Sequence, residues 1–384
     1  MDAVSGIDVI VPAHRAHATL ARTLESLAVQ TIASELEVIV VDDDCPEGSY
    51  HDVVAPFFSR LNIRLVRLPR NLGPGGARQA GIDATGNPLF TCMDSDDAFA
   101  RPTSLEQLRD AMRTDRPIQR CGGFLERFDA SGKMVKRSVG TATMDGRLFR
   151  RSFVERYQLR FNGSRINEDY GYNLAVDLLC DNHDEKTYTV PEPVVHVHKN
   201  PSSITAYNDG QFIWDQRLCG LIDNSIWAFD LVKRYRPESP LLRMHILRML
   251  IISYAYWCFI QVNAPEFADQ AWEYVKKYYH TCYVPNRIPA YASMESKIRP
   301  ETTGDIFRAY AERGFFQLPE GTAPPLSFDE FLERMRSEEY DPDHIYDVWA
   351  EMARSPEMRA RMAANVEHGA CEPGYTEKGR GSDT

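Results

Sequence analysis

Short apolar runs alternate with segments of helical periodicity through the first part of the chain. The runs, each long enough for one buried strand, occupy residues 7–11, 36–41, 63–68 and 89–93. Residues 19–30 repeat leucine at the spacing of one helical face, and residues 77–84 form a second helical segment after the turn Gly73-Pro74-Gly75-Gly76. Strand-like runs that alternate with helical segments are typical of a parallel sheet with crossover helices, so we predict an α/β fold.

Carboxylates directly follow two of these predicted strands. The second run leads into Asp42-Asp43-Asp44 and the fourth into Asp94-Ser95-Asp96-Asp97. A solvated turn or a helix N-cap would explain either cluster alone. Two clusters at two strand ends of one sheet favour a ligand site instead, because open α/β sheets bind ligands beyond the carboxyl ends of their strands. Mg²⁺ or Mn²⁺ is the simplest partner, since these ions take carboxylate, water and phosphate oxygens.

Composition narrows the classes of function. The chain has 384 residues, is 43% hydrophobic and 26% charged, and is therefore long enough for one large or two moderate cores. Its formal net charge of -11 argues against a broad, sequence-independent grip on nucleic acid, which depends on Lys and Arg. The eight cysteines show no CxxC or zinc-ligand spacing, so we expect free thiols in a reducing cytoplasm.

No signal peptide is expected at the start, where Asp2 and Asp8 interrupt the apolar residues. The longest uncharged apolar stretch, residues 249–262, is too short to span a bilayer, and we interpret it as a buried helix. We therefore predict a cytoplasmic protein without a transmembrane segment. A peripheral membrane contact through this aromatic-rich stretch is the alternative.

Five motifs in a fixed order carry a resemblance to a known family. They are Val9-Ile10-Val11-Pro12-Ala13-His14, residues 24–31, residues 38–43, residues 71–81 and Asp94-Ser95-Asp96-Asp97. The series resembles the family 2 glycosyltransferases of the GT-A fold. Weaker matches continue through residues 146–153, 159–161, 167–169, 195–199 and 203–205, so that the resemblance covers about the first 210 residues.

The resemblance implies a metal-dependent transferase that takes a sugar from a nucleotide diphosphate, most often a UDP-sugar. Residues that match donor-binding positions are Pro12, His14, Arg15, Asp43, Arg78, Asp94, Ser95 and Lys199. Asp96 matches the direct ligand of Mn²⁺ or Mg²⁺, and Asp94 the partner that lies near the ribose or a metal-bound water. His14 replaces the family's more usual Tyr or Phe, and Cys45-Pro46-Glu47 replaces its common Gly-Ser-Thr.

The acceptor hydroxyl must lose a proton during transfer, and a carboxylate on the opposite face of the sugar can take it while displacement inverts the anomeric centre. Asp169 matches the family's base, and Glu168 could orient a hydroxyl of the donor sugar. Both acids could instead merely begin a helix over residues 170–179, where negative charge is favourable. Arg78 also has two interpretations, since it could face the diphosphate or lie on the surface of a helix.

Two histidines flank Val197 in a predicted strand, and we expect them to point to opposite faces, so that only one lines the site. His198 matches the family position better than His196 and could complete the coordination of the metal. A structural histidine is the alternative, because an oxygen-rich Mg²⁺ or Mn²⁺ site needs no imidazole.

The chain divides into three predicted parts. Residues 1–210 form the nucleotide-sugar-binding domain, residues 211–368 a mostly helical extension on the acceptor side or at an oligomer contact, and residues 369–384 a disordered tail. A homo-oligomer is possible. The acceptor is left open between a glycan, a protein, a small molecule and a modified nucleic-acid base. Two other functions also fit an α/β sheet with acidic residues: a sugar nucleotidyltransferase, or a non-catalytic module that binds nucleotide sugars.

Overall fold

The computed structural model describes residues 6–113, 118–129, 131–139, 143–164, 167–180, 186–198, 200, 212–288, 325–342 and 344. The strands are β1 (Ile7–Ala13), β2 (Leu36–Asp42), β3 (Asn62–Arg67), β4 (Leu89–Cys92), β5 (Ala98–Phe99), β6 (Ile118–Phe128), β7 (Met134–Val139), β8 (Arg147–Arg150) and β9 (Lys186–His198). The helices are α1 (Leu20–Ala28), α2 (His51–Val54), α3 (Gly73–Asp83), α4 (Ser104–Met112), α5 (Arg151–Arg156), α6 (Glu168–Leu179), α7 (Phe212–Tyr235), α8 (Pro240–Asn263), α9 (Ala268–Tyr278) and α10 (Phe328–Ser337).

A single nine-stranded mixed sheet organises the first part of the chain. Its order is β3-β2-β1-β4-β8-β6-β9-β5, and β7 pairs with β6 off this path. Strands β1 to β4 are parallel, whereas β8 runs antiparallel between β4 and β6. The predicted α/β class is confirmed, and the carboxyl ends of β1, β2 and β4 lie at one edge of the sheet, as the positions of the two acidic clusters require.

Helix α3 begins four residues earlier than the sequence predicts. The segment Gly73-Pro74-Gly75-Gly76 is the first turn of the helix and not a turn that precedes it. Proline is tolerated in a first helical turn because its missing N–H would have no partner there. Glycine is required at position 75, since a Cβ atom there would lie 2.8 Å from Cγ of Glu168. Close packing against α6, and not the low helix propensity of glycine and proline, therefore determines the residues of this first turn.

An ion pair lies inside the sheet, far from the acidic clusters. Asp8, on the central strand β1, is fully buried, and its Oδ2 accepts a hydrogen bond of 2.7 Å from Nη2 of Arg151. The same carboxylate accepts hydrogen bonds from the backbone and side-chain nitrogens of Asn87, at 2.9 and 2.7 Å. Such complete pairing is what makes a buried carboxylate tolerable.

The helices after residue 211 share a hydrophobic core with one face of the sheet. This core joins Ile10 and Phe90 of the sheet to Phe229 of α7, Trp257 of α8 and Phe331 of α10. The predicted helical character of this region and the burial of its aromatic residues are confirmed for the described residues. The boundary near residue 210 and the tail 369–384 lie outside the described residues.

Residues 249–262 belong to α8, which is longer than the apolar stretch suggests because it begins at Pro240. Among the described residues, α8 is long and apolar enough to cross a membrane. However, 72% of its most apolar part is buried inside the protein. The buried core helix of a soluble protein can have the same length and composition. None of the seven described cysteines forms a disulfide, as predicted.

Candidate active site

Arg78 of α3 lies at the centre of the acidic groups. Its Nη1 donates to Oε1 of Glu168 at 2.5 Å, and its Nη2 donates to Oδ1 of Asp94 at 2.6 Å. The side chain is only 5% exposed, and its buried Nε has no hydrogen-bond partner in the described structure. Burial alone lowers the pKa of this guanidinium, but the neighbouring charges of Asp94 and Glu168 raise it well above its ordinary value. One permanent cation thus joins the β4 cluster to α6.

Three carboxylates converge directly beyond β4. Carboxylate oxygens of Asp94, Asp97 and Asp145 lie within 4.8 Å of one another, and Asp97 and Asp145 are buried. Oδ1 of Asp145 accepts the backbone N–H of Asp94 at 2.7 Å, while Oδ1 of Asp97 accepts the backbone N–H of His198 at 2.9 Å. These contacts fix the cluster by backbone hydrogen bonds, so its geometry is set before any ligand binds.

The electrostatics of this cluster favour a cation. Burial raises the pKa of Asp97 and of Asp145 well above the ordinary value, and repulsion adds to it, from Asp96 and Asp94 on Asp97 and from Asp94 and Asp97 on Asp145. The pKa of Asp96 is raised by burial and by Asp94. Carboxyl groups that resist ionisation in this way would ionise readily beside a divalent cation, because an opposite charge stabilises the charged form. The arrangement therefore supplies hard oxygen donors of the kind that Mg²⁺ and Mn²⁺ prefer.

Asp96 makes different contacts from these three acids. Its Oδ2 accepts a hydrogen bond of 2.8 Å from Nδ2 of Asn200, and its carbonyl oxygen accepts one of 2.5 Å from Nη2 of Arg22. Ser95 lies beside it in the turn between β4 and β5. The prediction that Asp96 is the direct metal ligand stays a prediction. Asp94 belongs both to the predicted ligand set and to the observed cluster.

Asp169 lies at the start of α6, directly after Glu168. The turn into the helix passes through Asn167 in the left-handed conformation, with a φ of 59°, and Oδ1 of Asp169 accepts the N–H of Tyr170 at 2.7 Å. Burial, and then the charge of Glu168, raises the pKa of Asp169 to about 7. Burial also raises the pKa of Glu168, although Arg78 opposes this shift. A carboxylate with a pKa near neutrality is suited to accept a proton.

The ends of β1 and β2 form the other half of the candidate site. Nδ1 of His14 lies 3.0 Å from the carbonyl oxygen of Asp43, and Nδ2 of Asn71 lies 3.1 Å from the same imidazole nitrogen. The buried carboxylate of Asp43 accepts the backbone N–H of Leu72 at 2.7 Å. His14 and Asp43 therefore lie in contact with each other. Pro12 pairs with Val41 in the sheet, and Arg15 follows His14 with a positive φ of 52°.

The expectation that His196 and His198 point to opposite faces was wrong. Both rings contact Phe128, with centroid distances of 4.8 Å for His196 and 5.8 Å for His198. The physical reason is the period of a strand, in which residues two apart share a face. Nε2 of His196 lies 3.3 Å from Oε2 of Glu126, and burial lowers the pKa of His198. Lys199, predicted to contact the donor, lies outside the described residues.

Sequence reasoning missed Asp145, because it stands alone in the chain and not in an acidic run. It lies in a bridge beside Cys92 at the end of β4 and is followed by Gly146, with a φ of 65°. A Cβ at Gly146 would lie 2.8 Å from side-chain carbons of Val194 and Val195, so only glycine fits. An isolated Asp-Gly pair before a strand was the available signal. Asn71 and Asn200 were also missed as partners of His14 and Asp96.

Comparison with known proteins agrees with this geometry. Residues 8–170 match the sequence model named glycosyl transferase family 2. The chain is 29% identical over 221 residues to the succinoglycan biosynthesis protein ExoO of Rhizobium meliloti. The alignment covers 47% of this chain and 58% of that protein. It is 27% identical over 193 residues to ExoU of the same organism, covering 44% of this chain and 56% of that protein.

The chain thus spans somewhat more than half the length of these two relatives. Among solved structures, that of Staphylococcus aureus TarS aligns with a TM-score of 0.57 at 14% identity, covering 80% of this chain and 53% of that one. At this level of identity the likeness supports the fold alone. Residues 8–170 are therefore similar to the family 2 glycosyltransferases, and the structural likeness supports the GT-A fold.

Proposed function

We propose that the protein is a metal-dependent, inverting glycosyltransferase that moves a sugar from a nucleotide diphosphate to an acceptor hydroxyl. The observation that carries this proposal is the convergence on Arg78 of acids from distant parts of the chain. Asp94 follows β4, Glu168 begins α6, and both bond to the one guanidinium. This is the composition expected of a site that holds a cation, a diphosphate and a proton acceptor together.

The donor would lie across the carboxyl ends of β1, β2 and β4. His14 and Asp43 would face the base and ribose, because they match the family's nucleoside positions and lie in contact with each other. Arg78 would face the diphosphate, with Arg15, Ser95, Pro12 and Lys199 as further contacts on the ground of the resemblance. The family's common use of UDP-sugars makes UDP the first nucleotide to test.

The residues that would hold Mn²⁺ or Mg²⁺ lie beyond β4. Asp94, Asp97 and Asp145 offer oxygens within 4.8 Å of one another, a donor set that fits a hard divalent ion. Asp96 and His198 are the further ligands that the resemblance proposes. When bound, such an ion supplies positive charge that stabilises the departing diphosphate.

Asp169 would act as the general base. Its raised pKa of about 7 lets it take a proton at neutral pH, which an ordinary aspartate does poorly. Glu168, held by Arg78, would orient a hydroxyl of the donor sugar. Direct displacement with the base on the opposite face from the diphosphate inverts the anomeric centre. A glycan acceptor is supported by the names of ExoO and ExoU, which refer to succinoglycan biosynthesis.

Calorimetric titration with UDP-sugars, and with GDP- and dTDP-sugars for comparison, tests the donor. We expect one nucleotide sugar to bind in the presence of Mn²⁺ and binding to weaken when a chelator is added. Asp94→Asn should lose the metal dependence, whereas Asp110→Asn, an exposed carboxylate on α4, should not. Absence of binding by any sugar nucleotide to folded wild-type protein would refute the proposal.

The same titration distinguishes the two candidate ligand sets. If Asp96 is the direct ligand, as the family match implies, Asp96→Asn should weaken Mn²⁺ binding and Asp145→Asn should change it little. The reverse order is expected if the observed cluster of Asp94, Asp97 and Asp145 holds the ion. Because Asp145 bonds to the backbone of Asp94, circular dichroism of each variant is needed to verify that it folds.

The pH dependence of the reaction follows from Asp169. A base with a pKa of about 7 is protonated and inactive below that pH, so kcat/KM should rise with unit slope toward neutrality and then level off. Initial rates at low donor concentration measure this, because kcat/KM reports the free enzyme. The residual activity of Asp169→Asn should show no such step, and a wild-type profile that stays flat through neutral pH would exclude Asp169 as the base.

A further inference from the structure

A second group of metal-ligating side chains lies apart from the acids beyond β4. It combines His17, from the loop between β1 and α1, with Cys45 and Glu47, from the loop after β2. One ligand atom from each lies within 4.8 Å of the other two. Cys45 is 1% exposed, while the side chains of His17 and Glu47 are 30% and 53% exposed, so the group is buried on one side and open to solvent on the other.

The imidazole of His17 carries the argument. Its Nε2 lies 3.3 Å from the carbonyl oxygen of Ser49, an acceptor only, so this nitrogen bears the proton. In the neutral ring Nδ1 is then an unprotonated acceptor. This Nδ1 is buried, has no hydrogen-bond partner in the described structure, and faces Oε2 of Glu47 at 3.3 Å. This contact is satisfied either by a second proton on the ring or by a metal ion, and the nearby sulfur of Cys45 completes a set of metal ligands.

The sulfur of Cys45 has two polar neighbours. It accepts the backbone N–H of Arg15 at 3.4 Å, and the hydroxyl of Tyr50 bonds to it as well. The ring of Tyr50 also stacks on His17, with centroids 4.3 Å apart. Contacts of this kind orient the ligands of a metal.

From these contacts we infer that His17, Cys45 and Glu47 form a zinc site. A sulfur, a nitrogen and an oxygen suit Zn²⁺ and not the oxygen-preferring Mg²⁺ or Mn²⁺. Binding releases the thiol proton of Cys45 to solvent, and the thiolate and the carboxylate then balance the two charges of the ion. Three protein ligands leave the fourth tetrahedral position to water on the open side.

The position of the site indicates what it does. The two loops that it joins are those that carry His14 and Asp43, and both contain a strained residue, Arg15 with a φ of 52° and Asp44 with a φ of 53°. A zinc ion would hold these strained loops together at the end where the nucleoside is proposed to bind. This consequence for the nucleotide rests on the proposed function, whereas the metal site itself does not.

Cobalt substitution tests the site without any sugar nucleotide. Protein freed of metal with a chelator is titrated with Co²⁺, in the Asp94→Asn background to weaken the acidic site. We expect a sulfur-to-cobalt charge-transfer band that saturates at one equivalent and disappears when Zn²⁺ is added. Cys45→Ser should abolish the band, whereas Cys282→Ser, which changes a buried thiol in the helical region, should leave it unchanged.

Two further variants keep the test decisive if Cys45→Ser does not fold. Glu47→Gln and His17→Gln change partly exposed side chains and should weaken Zn²⁺ binding by more than the roughly 10- to 100-fold that loss of an outer-shell contact costs. Absence of a thiolate band from the protein with intact Cys45, in the Asp94→Asn background at saturating Co²⁺, would overturn the site. So would a band that survives Cys45→Ser. Neither result bears on donor binding at Asp94, so the two proposals fail separately.

Discussion

Replacement of Asp169 by asparagine should lower kcat by roughly 10²- to 10⁴-fold, the contribution of a positioned general base. The amide keeps the size of the side chain and an acceptor for the N–H of Tyr170, but it cannot take a proton from the acceptor hydroxyl. The affinity for the donor should change little, because the base acts on the acceptor. Steady-state kinetics combined with calorimetric donor binding measures both quantities.

Stability provides the control for this variant. The pKa of Asp169 is raised from its ordinary value of 3.8 to about 7 in the folded protein, so the folded state favours the protonated form. Its contribution to stability is complete below the unfolded-state pKa and is lost as the pH rises through about 7. Asparagine does not ionise, so above that pH Asp169→Asn should be at least as stable as the wild type. A loss of activity that is matched by unfolding, or unchanged kcat, would contradict the role.

Replacement of Arg78 by methionine should cost about 3–5 kcal/mol of unfolding free energy, the usual cost of removing one partner from a buried ion pair. Glu168, whose side chain is 6% exposed, would lose its compensating charge, and Asp94 would lose its bond to the same guanidinium. Equilibrium unfolding in urea, with a chelator present so that no added cation compensates, measures the change. Donor binding should be lost as well, because the same residue is proposed to face the diphosphate.

An ion pair on the surface with similar geometry separates the effect of burial on stability from the effect of pairing itself. Arg60 bonds to both oxygens of Glu25 at 2.6 Å, a geometry as favourable as that of Arg78, but the two side chains are 42% and 52% exposed. Arg60→Met should therefore change the stability little. The double variant Arg78→Met with Glu168→Gln should recover part of the loss, because it removes the uncompensated charge. Equal losses for Arg78→Met and Arg60→Met would refute the argument.

The sequence was sufficient to predict the elements that carry the acids. Periodicity located β1 to β4 within one or two residues, because buried parallel strands are short apolar runs and the first intervening helix, α1, repeats leucine at regular spacing. It also predicted that Asp43 and Asp94 lie at the same edge of the sheet. These inferences depend only on local pattern and on the geometry of crossover connections, which the chain cannot easily override.

Contacts between distant segments were beyond such reasoning. Asp145 joins the cluster through a bridge to Cys92, and Arg78 bonds to Glu168, 90 residues away. The start of α3 was misplaced because the need for glycine at position 75 comes from Glu168 and not from neighbouring residues. The proximity of Cys45 to His17 had no signal in the sequence either, since the two residues lie in separate loops that meet only when β1 and β2 lie side by side.

The buried pair of Asp8 and Arg151 has a consequence for biosynthesis. These residues are 143 positions apart, and Asp8 lies on the central strand. While the chain emerges from the ribosome, β1 to β4 can collapse together, but Asp8 must remain hydrated or protonated until its partner is available. We therefore expect the native sheet to form only after residue 151 has left the exit tunnel, so that the nascent chain depends on chaperones through a large part of its synthesis.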